Sequence, residues 1–325
     1  MKFSKRLAIV LVILLSAGVS LFAQEDLNAA GAIYNEGNEA LKAKNYPEAI
    51  AKYEAALKVC SVIGMDADDL KFNIEKQLPS VQYSYGLDLV KQKKASAGLK
   101  VLKEALASAK TVNDQNIIDK SNKYISRILG SIGYGNTKKG AYDVALLKLD
   151  EALTYTPESG KIFLYKGLTY KEMGDEEKMD ESLLNAITYG RAENDEKTAM
   201  NSIKTGRGYY IGLVQKAVEK KDYNQAIASA DKALKFDDHF GLAYYFKAVS
   251  FNNLKQYDKA IEAASLASEF SDNAQETQAG IHLELGKAFE GNGDTANACT
   301  EYTQAAFGSF QAEAEYKMKE VLKCQ

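Results

Sequence analysis

Three observations in the 325 residues predict an all-α protein built from stacked helix pairs. Proline occurs only three times and tryptophan never, while Ala, Lys, Glu and Leu abound; helix interiors exclude proline and are promoted by those four residues. A thirteen-residue amphipathic phrase recurs without gaps as NYPEAIAKYEAAL from Asn45, AYDVALLKLDEAL from Ala141, DYNQAIASADKAL from Asp222 and QYDKAIEAASLAS from Gln256. Each copy has Tyr second and Ala fifth and twelfth. A composition of 46% apolar and 26% charged residues is that of a folded, soluble chain and excludes disorder.

The amino terminus stands apart. Lys2, Lys5 and Arg6 precede an uncharged apolar run from Leu7 to Val19, then Leu21, Phe22 and Ala23 and the polar Gln24, Glu25 and Asp26. This is the layout of a secretory signal peptide over residues 1–23, cut after Ala23. Leu21 is larger than the small residue usual there, so an uncleaved anchor stays open. No Cys lies near the cut to carry a lipid, and no transmembrane span remains once the leader is removed. The three leader cations leave with it, taking the formal charge from −3 to −6. Such an acidic chain excludes nucleic acid as a partner, because phosphates demand a concentrated basic surface.

Counting back twelve residues from the fifth-place Ala reaches a small residue in a second apolar-periodic segment, so each unit holds two helices. Scanning for a small residue, another twelve on and an Ala seven later yields seven units: Gly37/Ala49/Ala56, Gly86/Gly98/Ala105, Gly133/Ala145/Ala152, Gly167/Met179/Ala186, Val214/Ala226/Ala233, Ala248/Ala260/Ala267 and Gly286/Ala298/Ala305. Small residues at these places let helices cross at close range. The units start near 30, 79, 126, 160, 207, 241 and 279, and three of the intervals exceed 34 residues by 13 to 15, about four helical turns. Stretches such as VNDQNIIDKSNKY (112–124) and NDEKTAMNSIKTG (194–206) therefore read as lengthened first helices. Pro79 is expected to kink or split the earliest of them. Residues 24–312 form one solenoid without a linker. Residues 313–325 form a capping helix, opened by Gly308 and Ser309 and given an apolar side by Phe310, Ala314, Tyr316 and Val321.

This spacing resembles the tetratricopeptide repeat, a 34-residue helix–turn–helix with small residues at its eighth, twentieth and twenty-seventh positions. The resemblance covers about Ala30 to Ala312. Gly133, Tyr142, Ala145, Ala152 and Pro157 match the pattern in order, as do Tyr223, Ala226 and Ala233. The chain departs from it where Ile33, Gln82, Leu129, Phe163, Tyr210, Tyr244 and His282 stand in place of the usual Trp, and where Met179 and Gly98 replace Ala. The resemblance implies a right-handed superhelix whose first helices line a concave groove. At the family's groove positions this chain carries Tyr34, Asn38, Lys42, Tyr83, Lys91, Arg127, Tyr134, Lys138, Lys161 and Lys171, and in later units Leu242, Tyr245, Val249, Asn252 and Asn253. Tyrosines beside cations suit an extended or helical peptide of acidic character; the alternative is that these are solvated faces and packing positions. Cytosolic co-chaperones of the family hold a carboxyl-terminal peptide through a Lys-Asn-Asn-Lys-Arg set. Tyr34 stands where its first Lys belongs, so that activity does not carry over.

Catalytic constellations are thin. His239 and His282 have no ligand cluster or nucleophile beside them, so no metal site and no cofactor is expected, and the chain reads as a non-enzyme. The acidic pairs Asp68-Asp69, Glu176-Glu177 and Asp237-Asp238 fall at helix starts or turns, where carboxylates favour the helix dipole. GSIGYG (130–135) lacks the strand and Lys of a phosphate loop. Export into an oxidising compartment makes a Cys299–Cys324 disulfide reasonable, against the alternative that both are small buried apolar residues; Cys60 stands alone. These readings point to a non-enzymatic scaffold of the periplasm or cell envelope that binds another exported or outer-membrane protein. The alternative is a glycan or small-ligand binder of an exported uptake system, disfavoured by the absence of Trp.

Overall fold

The computed structural model describes residues 26–324, so the leader expected over 1–23 lies outside them. Every regular element among the described residues is helical. They form two compact units divided between Glu158 and Ser159. The first holds three hairpins: α1 (26–42) with α2 (Tyr46–Ile63), α3 (Asp68–Lys91) with α4 (Ala95–Thr111), and α5 (Gln115–Thr137) with α6 (Tyr142–Tyr155). The second holds four: α7 (Gly160–Met173) with α8 (Glu176–Ala192), α9 (Glu196–Glu219) with α10 (Tyr223–Leu234), α11 (Gly241–Asn253) with α12 (Tyr257–Phe270), and α13 (Gln275–Gly291) with α14 (Thr295–Ala305). Within each unit consecutive helices pack in chain order, which makes the protein an all-helical solenoid of paired helices with a terminal cap.

A volume rule holds the hairpins together. In five of them a glycine on the first helix faces a large side chain sixteen residues later: Gly37 with Tyr53, Gly86 with Leu102, Gly133 with Leu149, Gly167 with Leu183 and Gly286 with Tyr302. A Cβ added to any of these glycines would stand 2.6–2.7 Å from the facing side chain. In the fifth hairpin the first helix carries the larger side chain, Val214, sixteen residues before Ala230, and in the sixth both places are small, Ala248 and Ala264, all four fully buried.

The first helices expected to be long are long: α3, α5 and α9 have 24, 23 and 24 residues, against 14 in α7 and 13 in α11. Pro79 does not split α3, which runs through it unbroken. Ile74, Leu78 and Val81 on either side are buried, so packing carries the helix past the missing amide donor. Each hairpin turn passes through one left-handed residue, Lys44, Lys93, Gly140, Gly174, Lys221, Lys255 or Gly293. Asp175, Asp222 and Asp294 in these turns, and Asp114 and Asp195 in the connections between hairpins, accept a backbone N–H three residues on and cap α8, α10, α14, α5 and α9.

The carboxyl terminus closes the last hairpin. A short α15 (Gln311–Tyr316) runs into a π-wound turn, Lys317–Leu322. Its packed side consists of Phe310, Ala314, Met318 and Leu322, spaced by four, against α13 and α14. Tyr316 and Val321, expected on that side, are 59% and 43% exposed; a four-residue stripe cannot include them. Cys299 on α14 is bonded to Cys324, with their Cα atoms 5.8 Å apart. Cys60 is a free, buried thiol whose pKa burial pushes up, so it is a core residue and not a reactive one.

Candidate functional site

In the first unit the groove positions of the first helices divide into a packed group and an open one. On α1 the Tyr34 hydroxyl donates to Gln77 Oε1 of α3 at 2.8 Å, and its ring lies 5.5 Å from that of Tyr53. Asn38 Oδ1 accepts from the Tyr53 hydroxyl at 2.7 Å. Burial of Tyr53 pushes its hydroxyl up to about 12, which keeps it protonated and donating. These groups form a polar joint between adjacent hairpins, and Tyr34 and Asn38 are held within it. Lys42 pairs with Glu39 at 2.7 Å on the exposed side.

The open group lies on α3 and α5. Tyr83 of α3 meets Tyr124 of α5 edge to face, ring centres 5.9 Å apart. Lys138 Nζ stands 4.7 Å over the Tyr134 ring, a cation–π contact. Lys91, Arg127 and Lys138 are exposed, and none has a carboxylate partner among the described residues. Arg127, Tyr134 and Lys138 are seven and four residues apart, which puts them on one face of α5. The other two sequence candidates are on α7 in the second unit: Lys171 is 3.9 Å from Glu172, and Lys161 is close enough to Asp195 to help hold its carboxyl below the usual range, behind the larger effect of the Thr198 hydrogen bond.

The second unit contains a feature the sequence did not single out. Between α11 and α13 lies a largely apolar cavity of about 310 Å3 lined by Leu242, Tyr245, Thr277, Gly280, Ile281 and Phe310, together with the polar Ser271 and Glu276. Leu242 and Tyr245 were readable as first-helix face residues; Phe310 was not, because it arrives from the terminal segment. Gly280 permits the approach: a Cβ there would stand 2.9 Å from Phe310 Cζ. Glu276, in the first turn of α13, fastens the segment by accepting from the Ser309 backbone N–H at 3.1 Å and from its hydroxyl. Those hydrogen bonds hold the Glu276 carboxyl below its ordinary 4.5. A group depressed in this way contributes while ionised and loses its effect as pH falls through the lowered value. The Ser309 amide resonance is therefore expected to titrate with a midpoint below 4.5, and Glu276→Gln to abolish that titration.

Behind Tyr245 sits a charged cluster. Glu284, almost wholly buried, accepts from Asn252 Nδ2 at 2.8 Å and from Lys287 at 3.0 Å, and Lys287 also pairs with Glu313 of the cap at 3.0 Å. Burial, then the charge of Glu284, pushes the Tyr245 hydroxyl up. Among the described residues no three His, Cys, Asp or Glu side chains are grouped to hold a metal ion, and no helix is long and apolar enough to cross a membrane. His282 and Glu301, 2.6 Å apart, form an isolated pair between α13 and α14.

A model of the tetratricopeptide repeat family matches residues 211–274, which span the end of α9 through α12. No curated protein matches the chain. Among solved structures, a tetratricopeptide repeat protein from Parabacteroides merdae is 13% identical, with 92% of this chain and 100% of that one covered at a TM-score of 0.32. The tetratricopeptide domain of P58(IPK) is 14% identical over 91% of this chain and 98% of its own, TM-score 0.32. MamA is 21% identical over 60% of this chain and 94% of its own, TM-score 0.32. The chain is thus an all-helical solenoid of seven hairpins built on small-residue crossings, with the tetratricopeptide repeat pattern matched over residues 211–274.

Proposed function

We propose that this protein is a non-enzymatic scaffold of the cell envelope that holds an acidic peptide segment of another exported or outer-membrane protein on the first helices of its amino-terminal unit. The observation that carries the reading is the set Lys91, Arg127 and Lys138, exposed cations without carboxylate partners, of which Lys138 stands over the Tyr134 ring, on the two helices that also bring Tyr83 and Tyr124 together. An unpaired cation on a rigid helix is free to meet a carboxylate, and a neighbouring Tyr adds contact area at low entropic cost. Export is supported by the leader layout at 1–23 and by the Cys299–Cys324 bridge, since such bonds persist in oxidising compartments.

Capture from envelope extract on the immobilised chain tests the reading. Because Tyr34 is tied into the joint with Gln77 and Tyr53, the informative variant leaves it intact and converts Lys91, Arg127 and Lys138 to Glu. A specific protein retained by the native chain should be lost from this variant, with helical circular dichroism unchanged, and its retention should weaken with salt. Equal capture by both chains, or retention of glycans alone, rejects the acidic-peptide reading.

A further inference from the structure

The geometry points to a second recognition site: the cavity between α11 and α13 receives one aromatic or branched apolar side chain of a partner peptide that carries positive charge beside that residue. The inference deepens the peptide-binding reading and rests on it. Size comes first. At about 310 Å3 the cavity is at the low end of the ~300–1,000 Å3 typical of ligand pockets, room for one aromatic side chain and part of a neighbour. The wall is mostly carbon. Leu242, 40% exposed, and Ile281, fully buried, line it together with the aromatic rings of Tyr245 and Phe310, which can pack against a third ring.

Charge selects the neighbour. Glu276 lines the cavity with only neutral partners, the Ser309 N–H and hydroxyl, and those hydrogen bonds favour its ionised form. It has no cationic partner among the described residues, whereas Glu284 and Glu313 share Lys287. The cavity therefore sets one carboxylate without a cation among apolar walls, complementary to a Phe- or Leu-type anchor flanked by Lys or Arg and repulsive to the acidic segment suited to α3 and α5. Phe310 makes the site particular to this chain, because that wall belongs to the terminal segment and reaches α13 only where Gly280 leaves room.

The test is a titration of the full chain, with methyl groups labelled, by capped pentapeptides AKFKA, AEFEA and AKAKA, read by NMR at the Leu242 and Ile281 methyls. AKFKA should move both signals and bind on the order of tenfold more tightly than either of the others. Glu276→Gln, which keeps an acceptor for Ser309, should reduce the preference for AKFKA over AEFEA, and Thr277→Phe, which fills the cavity from an exposed position, should block the shifts. Should Thr277→Phe not fold, Leu242→Ala serves, since that side chain is 40% exposed and its loss should weaken the Phe-bearing AKFKA, read at Ile281, and leave AKAKA unchanged. Unmoved methyls at millimolar AKFKA, or equal affinity for AKFKA and AEFEA, overturns the proposal. Capture through Lys91, Arg127 and Lys138 reads the other unit, so its success beside a failed titration sinks only this pocket.

Discussion

Replacing Gly133 by Ala will destabilise the native protein yet stabilise a chain that already carries Leu149→Ala. In the native hairpin of α5 and α6, a Cβ on Gly133 would stand 2.7 Å from Leu149 Cγ, and Leu149 is fully buried. Forcing a methyl into such a crossing costs about 1–3 kcal/mol, more than the ~1 kcal/mol by which Ala exceeds Gly in helix propensity. Leu149→Ala alone leaves a cavity and should cost about 2–5 kcal/mol. With Leu149 truncated the nearest obstruction is gone, leaving the Ala145 carbonyl oxygen at 3.1 Å to give slightly, and the methyl at 133 recovers helix propensity and refills part of the void. The double variant then copies the buried Ala248 and Ala264 pair of the sixth hairpin. Urea denaturation of the four chains measures the coupling. Additive effects, with Gly133→Ala costing the same in both backgrounds, would show that the pairing sixteen residues apart is incidental.

Cys324→Ser will loosen the carboxyl-terminal end and leave the amino-terminal unit as stable as before. The bridge to Cys299 closes a separation of 25 residues, worth about 3–4 kcal/mol in the loop-entropy account. The segment it secures is weak by itself. α15 has six residues, the following turn is π-wound, and its apolar anchors are Phe310, Ala314, Met318 and Leu322, beside the ion pairs of Glu313 with Lys287 and Lys317 with Glu290. In a repeat array each hairpin depends chiefly on its neighbours, so the loss stays local. Hydrogen exchange should accelerate over residues 311–323 and in α14, with α1 to α4 unchanged; uniform acceleration along the chain would contradict this. The denatured, unreduced native protein should show one free thiol, from Cys60, and three thiols would refute the bridge.

Much of the fold was legible because it is written at short range. The triads such as Gly133/Ala145/Ala152 mark crossings at set distances along the chain, and the long intervals correctly announced the extra turns of α3, α5 and α9. The volume rule was equally present, as a spacing of sixteen, but a Gly at one place and a Leu at another show complementarity only once the two are seen face to face. Pro79 shows the converse. Its local penalty was readable, while the burial of Ile74, Leu78 and Val81 that outweighs it is set by what packs against α3.

The candidate sites divide in the same way. Tyr34 and Lys138 look alike in a list of groove positions, yet Tyr34 is consumed by a joint with Gln77 and Lys138 is left over a ring in solvent. What distinguishes them is the partner supplied by another helix.

By itself the sequence determined the all-helical class, the number of hairpins, their lengths and the identity of residues at each crossing, because helix periodicity and side-chain volume act over a few turns. Only the tertiary structure decided which cations keep no partner, and that Phe310 crosses Gly280 to wall a cavity with Leu242. Those outcomes depend on side chains tens of residues apart meeting in space, where burial and charge are set by neighbours and not by position along the chain.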